Sequence, residues 1–199
     1  MKELWKQIKE CQDCPFLLDP INMGRKEIGW GSGSEVMLIG QSVKGSGSRS
    51  DRFLLELMGE AGIRNDQICF TNISKTSIPS GMLMNQEQKE HCYGHVNDEV
   101  VMRRPKLIIT LGSLAREWSG NEDFDAGLTG DFPLQKDGEV IRWKVPIYSI
   151  ANPDAIKYNR ITRKEIIKQI KNAINYGREI QHMDESGREV RQDSSGTEV

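Results

Sequence analysis

The chain of 199 residues contains no run of 18 apolar residues, so no membrane-spanning helix is expected. Its opening stretch, MKELWKQIKE, is too charged to be the apolar core of a secretion signal. Both absences lead to the expectation of a soluble, cytoplasmic protein without a membrane partner. Cysteine is scarce: Cys11, Cys14, Cys69 and Cys92 are too few for a secreted domain stapled by disulfides. An excess of positive charge is also missing, with 27 Lys and Arg against 29 Asp and Glu and a formal net of −2. That balance excludes a globally basic nucleic-acid binder, but not a local basic face. There is no internal repeat, and no linker divides the body. One domain with its own core, or at most two small ones, fits this length, and a monomer is expected.

The polar stretch from Gln181 to Val199 has almost no apolar periodicity and is expected to be a disordered tail behind a folded body of residues 1–180. The tail carries five acids and two arginines, which leaves the body near +1. In the body, short apolar runs alternate with amphipathic ones. Strands are expected at Val36–Ile39, Ile68–Ile73, Leu107–Leu111 and Val145–Ile150. Helices are expected around Phe53–Met58, after Asn85 as N-cap, over residues 112–118, and from a Thr162/Glu165 capping box to Gly177. The alternation predicts a three-layer α/β/α sandwich around a mostly parallel four-stranded sheet. Ligands of such sheets sit outside the carboxyl ends of the strands, so the loops after Ile39, Phe70, Leu111 and Ile150 are where chemistry is sought.

The first of these loops, GQSVKGSGSRS, is glycine-rich, and Gly40 and Gly45 have the spacing of a phosphate-binding loop. Ser46 and Gly47 follow where that motif requires Lys and Ser or Thr, which argues against an NTPase. The second loop brings Asn72, whose amide offers a donor and an acceptor side by side, suited to reading a base edge. The fourth brings Asn152-Pro153-Asp154. Gln41, Ser42, Asn72 and Asn152, delivered by three strand ends, would make one polar pocket. Beyond it, Lys157, Arg160, Arg163, Lys164, Lys168, Lys171 and Arg178 stand against the single acid Glu165. Such a strip is where a DNA backbone would lie, with Lys157 and Arg160 nearest the pocket.

Five segments taken in order, CQDC, VMLIG, AGIRNDQICFTNISK, KLIITLGSLA and VPIYSIANPDAI, resemble the uracil-DNA glycosylase superfamily and its iron–sulfur (family 4) branch in particular. The resemblance covers Cys11 to about Ile174. It implies a monofunctional glycosylase that extrudes a nucleotide from DNA and hydrolyses its N-glycosidic bond, with no lysine nucleophile. By position, Gly40-Gln41-Ser42-Val43-Lys44 matches the first motif, Asn72 the asparagine that reads the base, and Asn152-Pro153 the second motif, usually His-Pro. Asn152 would be a neutral donor to the base O2, and Ile156 would fill the gap left by the flipped base. Gly40, Lys44 and Asp154 complete the set expected to touch the substrate.

Several positions depart from the family pattern. Ser42 stands where relatives often carry Asp or Asn, and an unassisted hydroxyl is a poor general base. Either Asn152, Asp154 or Asp51 orients the water, or activity is weak or lost. The aromatic that stacks on uracil is missing, and Lys44 with its small neighbours would leave the C5 face of a pyrimidine open. The expectation is a base with a bulky C5 substituent, such as hydroxymethylated or glucosylated cytosine of phage DNA, excised in antiviral defence. The alternatives are an inactive nucleic-acid-binding relative and a conventional uracil-excising repair enzyme.

Cys11, Cys14 and Cys92 fall on three of the four cysteine positions that hold the branch's 4Fe–4S cluster, and Thr76 occupies the other. The same thiols with His95 or His91 would suit zinc as Cys3His. An emptied site is the third alternative. Cys69, inside a strand, is expected to face the core as a small hydrophobe.

Overall fold

The computed structural model describes residues 2–19, 26, 29–43, 48–136 and 139–192. The elements run in the order α1 (Lys2–Glu10), β1 (Val36–Ser42), α2 (Arg49–Glu60), β2 (Ile68–Ser74), α3 (Gln86–Arg103), β3 (Leu107–Leu111), α4 (Ser113–Ser119), β4 (Ala126–Lys136), β5 (Glu139–Ile150) and α5 (Arg163–Gln192). A single sheet has the order β2-β1-β3-β5-β4. The β1–β2, β1–β3 and β3–β5 pairs are parallel, and β4 joins β5 antiparallel.

Alternation along β1 shows how the layers form. Val36 and Leu38 point to one face, where Leu54, Leu57 and Met58 of α2 and Ile166, Ile170 and Ala173 of α5 complete a buried cluster. Met37 and Ile39 point to the other, against Val96 and Val100 of α3 and Ala115 of α4. Each fully buried Leu or Ile contributes roughly 1.5–3 kcal/mol relative to exposure. Two such faces on one strand explain why β1 reads as an unbroken apolar run. Cys69 is buried in the second cluster, as expected of a core thiol.

Capping set the helix starts. Ser48 and Asp51 form a capping box at α2, and Asn85 with Gln88 forms one at α3. At α5 the Thr162 backbone N–H donates to Glu165 at 2.7 Å, and Glu165 N–H donates to Thr162 Oγ1 at 3.2 Å.

Two expectations are corrected here. The sheet has five strands, not four. The fifth, β4, reads AGLTGDFPLQK, and its two glycines and proline hide it. As an edge strand it tolerates Pro133. Gly127 is required because the Tyr176 ring lies 2.6 Å from where a Cβ would stand. The last helix does not end at Gly177 but runs on to Gln192, through residues expected to be a disordered tail. Gly177 is buried within the helix, and a Cβ there would stand 3.3 Å from Leu107 Cδ1. It is a point of close approach to β3 rather than a stop signal. Residues 193–199 of the expected tail lie outside the described residues.

On the outer side of β2, residues 29–33 (GWGSG) run close to the strand. Trp30 forms an antiparallel bridge with Phe70, with N–H to O=C bonds of 3.0 and 2.8 Å in the two directions. The two rings stack with centroids 5.2 Å apart. Among the described residues no helix is long and apolar enough to cross a membrane.

Candidate active site

The chain enters β2 on one side of β1 and then crosses to β3 on the other. The crevice at the carboxyl ends of β1 and β3 is therefore the switch point where sheets of this kind bind ligands. Three chain segments meet there. Gly112, just after β3, adopts φ 84° and ψ 179°, a region essentially reserved for glycine. A Cβ on it would stand 2.5 Å from Gln41 Nε2 and 3.1 Å from Asn152 Cβ. So Gln41, at the end of β1, and Asn152, after β5, pack over the bare face of Gly112. Gln41 Nε2 donates to Ser113 Oγ at 3.3 Å. Gly40 has a similar role: a Cβ there would stand 2.4 Å from Asn72 Oδ1, so the half-buried Asn72 lies over it. The structure thus brings Gly40, Gln41, Asn72 and Asn152 together.

The orientation of the Asn152 amide has a local cause. Asn152 is the N-cap of the 3₁₀ segment Pro153–Tyr158, and its Oδ1 accepts the Asp154 N–H at 3.0 Å. Because the oxygen must face that N–H, Nδ2 is turned away from it, and it makes no hydrogen bond among the described residues. This is a neutral donor held in place by backbone chemistry as well as by Pro153.

Beside Gln41 and Ser42 opens a pocket of about 340 Å3, walled by Ile78, Pro79 and Met82–Met84. Its far rim is polar, with Lys89 Nζ donating to both carboxylate oxygens of Glu117 at 2.8 and 2.9 Å. None of this wall was foreseen, because it comes from a loop between β2 and α3 without a motif. Its one visible sign is apolar side chains left in solvent: Leu83 is 89% exposed. Lys44, expected at the C5 face, and the GSG that follows it lie outside the described residues.

The acids expected near the water are engaged. The Asp51 carboxylate accepts the Ser48 N–H at 3.3 Å and so belongs to the cap of α2 rather than to the pocket. Asp154 accepts from Ser50 Oγ at 3.1 Å and from Lys157 Nζ at 2.6 Å. The second contact ties up Lys157, expected on the DNA backbone. Arg163 is likewise paired with Glu60. Arg160 is exposed and has no ion pair among the described residues, nor have Lys164, Lys168 and Lys171. Ile156, expected to project as a wedge, is half-buried and packs against the α2/α5 cluster. The outward apolar group of that segment is Tyr158, 71% exposed, which sequence reasoning passed over.

Sequence reasoning also missed a buried ion pair next to Asn72. Lys75 Nζ is 2.7 Å from Glu99 Oε1, with both side chains inaccessible to solvent. The same ammonium donates to Thr71 Oγ1 at 2.6 Å and to the Asn72 carbonyl at 2.8 Å. It therefore fixes the backbone that carries Asn72.

A second cluster lies between the end of α1 and α3. Cys11 Sγ is 3.0 Å from His91 Nε2, and the donor atoms of Cys11, His91 and His95 all lie within 4.8 Å of one another. Cys14 Sγ faces Thr76 Oγ1 at 3.8 Å. Burial pushes the Cys14 thiol up, and Cys92 is pushed up to about 12, chiefly by burial and then by the neighbouring Cys14. Burial lowers His95, with His91 adding to the effect. The group can hold a metal. For a four-cysteine cluster the fit fails at one place: Thr76 is neutral, 1% exposed, and already donates to the Pro15 carbonyl.

No family model matches the chain. Three curated proteins do, all named type-4 uracil-DNA glycosylase. The one from Archaeoglobus fulgidus is 25% identical over 177 residues, 83% of this chain and 87% of that protein. The Pyrobaculum aerophilum protein is 25% identical over 126 residues, 58% and 62% of the two chains. The Thermotoga maritima protein is 26% identical over 124 residues, 58% and 63%. Together with an α/β/α sheet whose switch point carries the expected motif residues, these matches relate the chain to the type-4 branch of the uracil-DNA glycosylase superfamily.

Proposed function

We propose that the protein is a monofunctional DNA glycosylase that flips out a pyrimidine with a bulky C5 substituent and hydrolyses its N-glycosidic bond. The observation that carries this reading is the 340 Å3 pocket opening beside Gln41 and Ser42, which would take the C5 substituent of a base lying between it and the amides of Asn72 and Asn152. In this scheme Asn72 reads the base edge over Gly40. As the C1′–N1 bond lengthens, the sugar becomes oxocarbenium-like and the electron pair moves onto the base. Asn152 Nδ2 donates to the base O2 and stabilises that charge, a contact worth about 10²–10³ in rate. Water held by Ser42 adds to C1′ and then releases its proton to solvent, leaving an abasic site and a free base. The apolar wall and the Lys89–Glu117 rim would receive a hydroxymethyl or glucosyl group, as in modified phage DNA, which would make the enzyme an antiviral one.

The same resemblance would give Cys11, Cys14 and Cys92 to an iron–sulfur cluster with no thiolate at the fourth position, where Thr76 stands, and the donor chemistry with His95 or His91 would equally serve zinc.

A second reading, a relative that binds DNA without cleaving it, is favoured by the pairing of Asp51, Asp154 and Glu117, which leaves Ser42 without an evident proton acceptor. Duplexes carrying uracil, a thymine mispair, 5-hydroxymethylcytosine and its glucosylated form separate the two. Alkali-labile sites, fastest on a C5-modified base, support the glycosylase. Fastest cleavage of uracil refutes the enlarged-pocket reading, and binding without any abasic product supports the second.

A further inference from the structure

We infer that Cys11, His91 and His95 form a mononuclear zinc site that ties the end of α1 to α3. It stands apart from the base-excision reading and does not depend on it.

The argument starts from helix geometry. His91 and His95 are four residues apart on α3, so their rings project from one face, one turn apart. Their centroids are 5.0 Å apart with the rings perpendicular. Cys11 reaches the same place from the residue after α1. A tetrahedral zinc with Zn–N of about 2.0–2.1 Å and Zn–S of about 2.3 Å requires donors about 3.3–3.6 Å apart. The Sγ–Nε2 separation of 3.0 Å and the 4.8 Å envelope of all three donors bracket that requirement. Side-chain rotations of a fraction of an ångström to about 1 Å would seat the ion.

Two observations are independent of this spacing. His95 Nε2 is buried and has no hydrogen-bond partner, a cost that metal ligation of the ring would help offset. And Asp13 Oδ2, outside the three-donor group, lies 3.8 Å from His91 Nε2, which places a carboxylate beside that ring. One thiolate and two imidazoles are donors that zinc accepts, with water in the fourth position.

This donor set differs from the three-thiol set that the motif suggests. Cys14 and Cys92 are buried, and the Cys14 thiol is turned to Thr76 rather than to the histidines. The zinc site uses neither. A four-iron cluster in its usual form takes four thiolates, and here the neutral Thr76 hydroxyl at the fourth position is committed to Pro15.

The test uses the full chain, expressed with both iron and zinc in the medium and purified without oxygen. Zinc, iron and acid-labile sulfide are measured per chain in the parent protein and in Cys11→Ser, His95→Asn, Cys14→Ser and Cys92→Ser. The expected result is about one zinc and no stoichiometric iron or sulfide, with zinc lost in the first two variants and kept in the last two. As a check against misfolding, cobalt(II) is added to each apo chain with far-ultraviolet circular dichroism recorded in parallel. The thiolate-to-cobalt absorption should appear in the parent, Cys14→Ser and Cys92→Ser but vanish in a still-helical Cys11→Ser. Stoichiometric iron with sulfide, zinc lost equally from the Cys14 and Cys92 variants, or a parent that holds no zinc as purified and takes up no cobalt as the apo chain would each overturn the inference.

Discussion

Replacing Lys75 by Met removes one member of a charge pair that has no access to solvent. The Glu99 carboxylate accepts no hydrogen bond from another described residue that could compensate it. Breaking a buried pair from one side costs roughly 3–5 kcal/mol, because the remaining charge is stranded. For a chain of this size each kcal/mol moves the melting temperature by about 2–4 °C, so the expected fall is about 6–20 °C. The Thr71 hydroxyl and the Asn72 carbonyl also lose a donor, at about 1 kcal/mol each. Removing both charges, as Lys75→Met with Glu99→Leu, leaves only that smaller loss, so the double variant should recover at least half of the deficit. Urea unfolding followed by tryptophan fluorescence measures all four corners of the cycle. If Lys75→Met lies within 1 kcal/mol of the parent, or the double variant is as unstable as the single one, the reasoning about this pair is wrong. The pair also positions Asn72, so the double variant should still bind or cleave substrate less well than its recovered stability suggests.

Other substitutions probe the pocket itself. Asn152→Ala should lower cleavage by at least about 10²-fold in single-turnover assays while costing only about 1 kcal/mol of stability, since the cap and the base donor are lost together. Gly112→Ala forces an alanine into a glycine-only backbone region and pushes against Gln41 and Asn152. It should cost about 1–3 kcal/mol in unfolding assays and reduce activity more than that loss of folded protein explains. Arg160→Ala should weaken DNA binding on every sequence alike and flatten the salt dependence of affinity by about one unit. Lys157→Ala should change that slope less, because Lys157 is already paired with Asp154.

Much of the fold was legible because a parallel sheet writes itself as apolar runs. VMLI, ICFTNI, LIITL and VPIYSI all became strands, since each must satisfy two packed faces. β4 was illegible for the opposite reason: at the edge it needs little apolar content, and its glycines answer to Tyr176 and Ile147 rather than to a turn. Gly177 misled in a similar way, because a glycine that admits a neighbouring strand and one that ends a helix look alike in sequence. At the site, the strand-end residues could be read, since topology places them without knowledge of side-chain packing. The apolar wall at Ile78–Met84, the Lys75–Glu99 pair and the swing of Cys11 toward His91 could not. Each depends on segments distant in sequence meeting in space.

The GWGSG segment along β2 has a consequence for how the molecule keeps to itself. A parallel sheet ends in a row of unpaired backbone groups that another chain's strand can join. Here that edge is occupied by the chain's own backbone, so close that a Cβ at Gly29, Gly31 or Gly33 would stand 1.9–2.4 Å from backbone atoms of residues 67–70. Only a ribbon without side chains at alternate positions lies that flat. At the opposite edge, Pro133 interrupts the donor row of β4. The glycines therefore act as a guard against strand addition, and a single bulky residue among them would trade a self-contained sheet for one able to recruit a neighbour.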